Sequence, residues 1–257
     1  MLVAKYAKFL PKTSKQCLIQ VGAHEGHEAP ILDSAGYHNI IWIEADPDVF
    51  SRLQFNLEKY DPSQHQAYNA LITQQSGKTY HFYRYSNQGA SSSIYQPTDL
   101  FSQSFEGISV TENSVELLST SLDDFIQSHS LSPTTLIIDV QGAELEVLKG
   151  GQETLSGVDV VEVEISQQAI YEGGSLFSQV NELLKNAGFT RVTHVPWHGD
   201  ILYLKIEKLT LYNLLAVKIL SFYHQILENT DLLRRFTVLI LTRPSTALSK
   251  LKSRLFR

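Results

Sequence analysis

Short, nearly continuous apolar runs recur along the chain: Cys17–Val21 (CLIQV), Ile40–Ile43 (IIWI), Ala67–Ile72 (AYNALI), Leu136–Val140 (LIIDV), Val158–Ile165 (VDVVEVEI) and Asp200–Ile206 (DILYLKI). They are short and rich in β-branched residues, which predicts strands covered on both faces and mostly parallel. Helical spacing fills the gaps. Pro47–Tyr60 opens with Asp46 as N-cap and Pro47 at the first helical position. Glu144–Leu155 repeats apolar residues at Leu145, Val147, Leu148 and Leu155, and Leu176–Ala187 stops at Gly188, a C-cap residue. Strand and helix alternating in this order predict an α/β fold with a doubly wound, mostly parallel, Rossmann-like sheet. Thr79–Val115 is rich in Ser and Gln and contains one alternating aromatic run, YHFYRY. It reads as an inserted hairpin and loop over the edge of the sheet or its carboxyl ends.

The pattern changes near residue 207. Leu209, Leu214, Leu215, Val217, Ile219 and Phe222 belong to a stretch too densely apolar for an exposed amphipathic helix. Residues 208–257 hold nine Lys/Arg against two acids, a net of +7, whereas residues 1–207 carry −13. The division predicts a main domain over 1–207 and a basic, leucine-rich helical extension over 208–257. Such an extension needs cover: the domain itself, a second copy in a homodimer, or a membrane surface. No run reaches about 18 apolar residues, so no membrane-spanning segment is expected. The acidic body argues against nucleic acid as partner.

Composition narrows the classes. The chain has 257 residues, 43% hydrophobic and only 19% charged, with net charge −6. That is ample for one large core. A single cysteine, Cys17, excludes an internal disulfide and fits a reducing, cytoplasmic compartment. It opens a core strand and reads as a small buried hydrophobe. The N-terminal MLVAKYAKFLPKTSK lacks the apolar core of a signal peptide.

The first strand-to-helix turn carries the candidate chemistry. CLIQV runs into GAHEG, with Gly22 and Gly26 free to take backbone angles and approaches that other residues resist. Glu44 ends the second strand, where a carboxylate accepts hydrogen bonds from a ribose diol. The pair reads as a nucleoside pocket. A dinucleotide site wants G-x-G-x-x-G, and here His24 and Glu25 occupy the middle, with Glu25 repelling a phosphate. An acidic lining suits a positively charged linker instead. HEGHE is not a zinc motif, because residue 28 is Glu.

VGAHEG, IEADPDVFSRLQFNL, SLDDFI, IIDVQGAELEVLKGG and VVEVEI, in that order, resemble the FkbM family of S-adenosylmethionine-dependent methyltransferases over residues 17–205. Three positions depart from the usual pattern: Gln20 for an acid, His24 for Asn and Gln141 for Glu. The resemblance implies a class I methyltransferase-like fold, with S-adenosylmethionine as cofactor. Its pocket would draw on Gln20, Gly22, Ala23, His24, Gly26, Glu44, Ala45, Asp46, Asn69, Ala70, Leu71 and Asp139. Gly22, His24 and Gly26 would wrap the methionine part, and Glu44 would hold the ribose hydroxyls. Asp46 would flank the adenosine, and Asn69, Ala70 and Leu71 would lie near adenine. Similar enzymes methylate oxygen, often on sugars or natural products, so the acceptor would be a small molecule or a glycan.

Methyl transfer is an in-line displacement in which alignment counts most. A base near the acceptor hydroxyl adds roughly 10²–10⁴-fold. Asp139 is the leading catalytic candidate, His24 the second, with Glu164, His194 and His198 behind them. Asp139 and Glu164 end adjacent strands and are also candidate oxygen ligands for Mg²⁺. The loop Gly89–Ile94 is suited to closing over the pocket. Two other readings stay open: a non-catalytic scaffold that keeps the fold, and a nicotinamide oxidoreductase.

Overall fold

A computed structural model describes residues 1–205, 207, 210, 214–219 and 221–222. The apolar runs become strands β1 (Leu18–Val21), β2 (Ile40–Glu44), β3 (His65–Asn69), β4 (Leu71–Thr73), β5 (Thr79–Phe82), β6 (Val115–Ser121), β7 (Thr135–Ile138), β8 (Val160–Ser166), β9 (Phe189–Arg191) and β10 (His198–Lys205). The main sheet has the order β3-β2-β1-β7-β8-β10-β9. Neighbours from β3 to β8 are parallel, and β10 pairs antiparallel with both β8 and β9.

Both faces of this sheet are covered, which is why its central strands are apolar at nearly every position. Ile19, Val21, Ile138 and Val163 face a layer of α5 (Leu122–Ser128), α6 (Glu144–Lys149), α7 (Gln152–Gly157) and α8 (Phe177–Asn186). Leu18, Trp42, Ile137 and Leu202 face α1 (Leu2–Lys5), α2 (Ala29–Ala35) and α3 (Pro47–Leu57). The N-terminal segment is part of that second layer: Val3, Tyr6 and Leu10 are buried, and Glu162 accepts the backbone N–H groups of Leu2 and Val3 at 2.8 and 2.6 Å. Cys17 is a buried free thiol.

Two expected elements divide. Ala67–Ile72 is two strands in two sheets. Asn69 closes β3 by donating to the Glu44 and Ala45 carbonyls, the chain turns at Ala70, and β4 pairs with β6 in a small sheet of order β4-β6-β5. Glu144–Leu155 is two helices broken at Gly150-Gly151. There Asp123 reaches across from α5 to accept the Glu153 and Thr154 N–H groups that open α7 (3.0 and 2.8 Å). The aromatic run does begin a hairpin, β5 against β6. The following loop carries α4 (Asp99–Ser104) across the carboxyl ends of the main sheet, where Tyr85, Phe101 and Tyr171 form a satellite core. Asp46 caps α3, accepting from Asp48 N at 2.9 Å.

Most of the 208–257 extension lies outside the described residues, and with it the homodimer and membrane-surface expectations. Residues 214–219 and 221–222 are helical; Val217 is buried in the α1–α3 layer, while Ile219 and Phe222 are exposed. Among the described residues, no helix is long and apolar enough to cross a membrane.

The Asp123 cap generates a prediction. Asp123→Ala leaves two α7 backbone donors and the Thr154 hydroxyl without their acceptor and should lower stability by about 1–2 kcal/mol. Urea unfolding reads this directly, and an unchanged midpoint would refute the capping role.

Candidate active site

The sheet order reverses between β1 and β7, and in doubly wound folds that switch point opens a crevice at the carboxyl ends of the strands. The chain leaving β1 turns through Gly22 (φ +80°), His24 (φ +47°) and Gly26 (φ +68°). A side chain at Gly22 would overlap the carbonyl of Asp139, which continues β7, so the two strand ends meet backbone to backbone. A cavity of about 250 Å³ opens beside them.

Glu44 anchors one wall. It is only 8% exposed, and its Oε2 accepts from the backbone N–H of His24 (2.9 Å) while Oε1 accepts from that of Asp46 (2.8 Å). Each oxygen keeps a lone pair for a ligand. Burial pushes this carboxyl up to about 7 against the opposing pull of its backbone donors. Ile43, Ala45, Ala70, Leu71, Ile72 and Phe82 supply an apolar wall next to it.

The loop after β5 forms the roof. Gly89, Ala90, Ser92 and Ile94 line the cavity. The Gln88 carbonyl latches the loop, accepting from Arg52 Nη2 at 2.8 Å and lying 3.1 Å from His24 Nε2. A ring nitrogen facing a carbonyl must carry the proton, so His24 donates here and its Nε2 is not a free base. His24 thus lines the cavity and latches its roof.

Several expected residues sit outside the cavity lining, which His24, Gly22, Glu44, Ala45, Ala70, Leu71 and Asp139 do share. Gln20 and Ala23 are buried in the sheet and the α1–α3 layer. Gly26 backs onto α3, where an added Cβ would stand 2.6 Å from Leu53 Cδ1, so packing explains that glycine. Asp46 is turned away to cap α3 and pair with Arg84 at 2.6 Å. Exposed Asn69 ties β3 to the end of β2. Glu25, expected to repel phosphate, points outward to Arg52 (2.7 Å), which holds its carboxyl below the usual range. The acidic lining comes from Glu28, Glu44 and Asp139.

Asp139 closes the far end. Gln141 (φ +54°) donates from one Nε2 to Asp139 Oδ1 and Glu164 Oε2, both at 2.7 Å, and accepts from the Tyr171 hydroxyl at 2.9 Å. His198 starts β10, with Nε2 3.4 Å from Glu164 Oε1 and Nδ1 2.8 Å from Ser166 Oγ. Burial raises the Asp139 carboxyl. Burial and the charge of Asp139 raise Glu164 well above its ordinary value. An amide donor occupies the bridging position a cation would need, so these residues do not fit a Mg²⁺ site; among the described residues no three His, Cys, Asp or Glu side chains converge as metal ligands. Tyr171, Gln88 and Arg52 were not legible as site residues, because each reaches the site from a distant segment.

The description "Methyltransferase FkbM domain" matches residues 20–191. The chain belongs to the FkbM methyltransferase family. That membership sets aside the nicotinamide oxidoreductase reading. This FkbM chain is 27% identical over 195 residues to the 2-O-methyltransferase NoeI of Sinorhizobium fredii, covering 72% of the chain and 77% of NoeI. It is 30% identical over 150 residues to the hexuronic acid methyltransferase AglP of Haloferax volcanii, covering 58% of the chain and 55% of AglP, so it spans about half of that relative. It also overlaps the magnesium protoporphyrin IX methyltransferase ChlM of Synechocystis with bound S-adenosylmethionine (TM-score 0.44, 10% identity, 79% of the chain and 76% of ChlM).

The buried carboxyls predict a pH dependence. Glu44, Glu144 and Glu162 are each pushed up to about 7, chiefly by burial. Unfolded, each titrates near about 4.3. Between those values the folded chain binds more protons than the unfolded one, so stability falls as pH rises. The effect fades above that window, where the groups are ionised in both states. Urea midpoints from pH 5 to pH 8 test this; a rise across the range would contradict it.

Proposed function

We propose that this enzyme transfers the methyl group of S-adenosylmethionine to a hydroxyl of a sugar or glycan acceptor. The observation that carries the reading is a carboxylate, Asp139, lining a nucleoside-sized crevice on the switch point of a family methyltransferase. The names of two relatives support the acceptor class, one a 2-O-methyltransferase and one acting on hexuronic acid.

The residues fit the cofactor. Gly22 lets backbone approach a ligand closely, the two half-used oxygens of Glu44 would accept ribose hydroxyls, and the wall of Ala70, Leu71, Ile72 and Phe82 would receive the adenine ring. Bound there, S-adenosylmethionine supplies an electrophilic methyl carbon on a positively charged sulfur. Glu28, Glu44 and Asp139 line the cavity with acid, which suits that charge. The Gly89–Ile94 roof excludes water, and Asp139 accepts the proton of the acceptor hydroxyl. Holding the reactants in line is worth up to roughly 7–11 kcal/mol in favourable cases, and the base roughly 10²–10⁴-fold more.

Calorimetry with S-adenosylhomocysteine tests the cofactor half: a folded chain that does not bind it refutes the proposal. Glu44→Ala should weaken that binding by about 10-fold or more, the loss of a charged hydrogen-bonding group. Asp139→Asn should lower kcat by roughly 10²–10⁴-fold while changing cofactor affinity little. Equal losses in both would move Asp139 from base to cofactor pocket.

A further inference from the structure

The strongest unexplained feature is Gln141. It is not glycine, yet it holds a left-handed backbone conformation (φ +54°), and its neighbours account for every polar atom of its side chain. A residue keeps such a conformation only where its surroundings over-determine it. The carboxyls fix which way the amide faces: Asp139 Oδ1 and Glu164 Oε2, both at 2.7 Å, take the donor Nε2 and leave Oε1 to the Tyr171 hydroxyl (2.9 Å), whose other neighbour is the Ser91 carbonyl in the roof (3.1 Å). The Gln141 carbonyl accepts from Ser93 Oγ at 2.7 Å, so roof and amide are tied together.

We propose that Gln141 and Glu164 are positioning residues for methyl transfer: the Gln141 amide clamps Asp139 and Glu164 into a pair that shares one proton, carried by Glu164, so that Asp139 faces the acceptor as a carboxylate. This rests on the methyl-transfer reading. Two acids hydrogen-bonded to each other and to one nitrogen cannot both be ionised without strong repulsion. The groups facing them decide which takes the proton. Glu164 meets Glu144, Asp200 and Asp139, which all favour its neutral form, with His198 3.4 Å away and itself discouraged from charging by burial. Asp139 faces Asp200 and Glu28, but receives hydrogen bonds from Gln141 and Glu164 that favour its charged form. The Met1 amine lies on Asp200 at 3.4 Å.

The proton balance follows. As the acceptor oxygen bonds to the methyl carbon, the carbon–sulfur bond breaks with its electron pair left on sulfur, and the hydroxyl proton passes to Asp139. The pair then holds two protons and releases one to solvent before the next turnover. Its apparent titration belongs to the pair and not to either residue.

Gln141→Glu puts a third carboxyl where the bridging donor stood. Its kcat at pH 7 should fall at least 10-fold and the acid limb of its pH profile should move up by about one unit, since Asp139 loses a donor and gains a like charge. The double variant Gln141→Glu with Glu164→Gln restores one amide and two acids to the same space, and should recover most of both effects. A wild-type pH profile in Q141E, or a double variant no better than the product of the single losses, overturns the proposal. A readout independent of turnover is the infrared absorption of protonated carboxyls at pH 7: Glu44, Glu144 and Glu162 contribute to it as well, and Glu164→Gln should remove one component from the wild-type spectrum; identical spectra overturn the assignment of the proton. If that band behaves as expected but no sugar hydroxyl is methylated, the pair stands and the acceptor reading falls. Tyr171→Phe removes the neighbour of the amide oxygen and loosens the clamp, and it should move the acid limb in the direction of Q141E by less; no movement there counts against the clamp.

Discussion

The site depends on one close approach. At the end of β1 the backbone of Gly22 passes so near the Asp139 carbonyl that no side chain fits between them. The main sheet reverses its order at this seam. Everything the enzyme uses radiates from it: the turn through His24 toward Glu44 on one side, and the Asp139–Gln141 corner on the other. A cavity at the switch point follows from strands that part company there, with the helices after β1 and β7 leaving to opposite faces of the sheet.

Charge in the site is managed by backbone and amide donors more than by ion pairs. Glu44 is held by two backbone N–H groups, Glu144 by that of Gly142 at 2.9 Å, and Asp139 with Glu164 by one side-chain amide. The arginines, by contrast, serve the rim: Arg52 pairs with Glu25, and Arg84 with Asp46 and Asp48. Keeping cations out of the cavity suits a cofactor that brings its own positive charge, because a fixed guanidinium there would repel it. The roof is latched by the same rim, through Arg52 and His24 on the Gln88 carbonyl, so opening the site means breaking hydrogen bonds at its edge and leaving the core intact.

Much of this was legible in the linear pattern. Continuous apolar runs marked the central strands because both faces of a parallel sheet are buried. Pro47 after Asp46 marked the start of α3, because a cap and a helical φ are local properties. Gly22, Glu44 and Asp139 stood out because strand-end positions in this architecture have few other uses. The extended AYNALI run misled, since periodicity cannot show where one strand leaves a sheet for another. The pattern over Glu144–Leu155 misled as well, because the break at Gly150-Gly151 is stabilised by Asp123, far away in sequence.

The amino-acid sequence alone determined the elements, their order and the acidic strand ends, because hydrophobic period, capping and turn preference act over a few residues. Only the tertiary structure decided what each polar group faces. It turned Glu25 and Asp46 away from the cavity to arginines, spent Gly26 on packing against Leu53, engaged His24 with the roof and gathered Gln141, Tyr171, Glu164 and His198 around Asp139. Those pairings join residues up to about 60 positions apart, and side-chain direction at a loop is set by whichever partner the folded chain brings within hydrogen-bond reach.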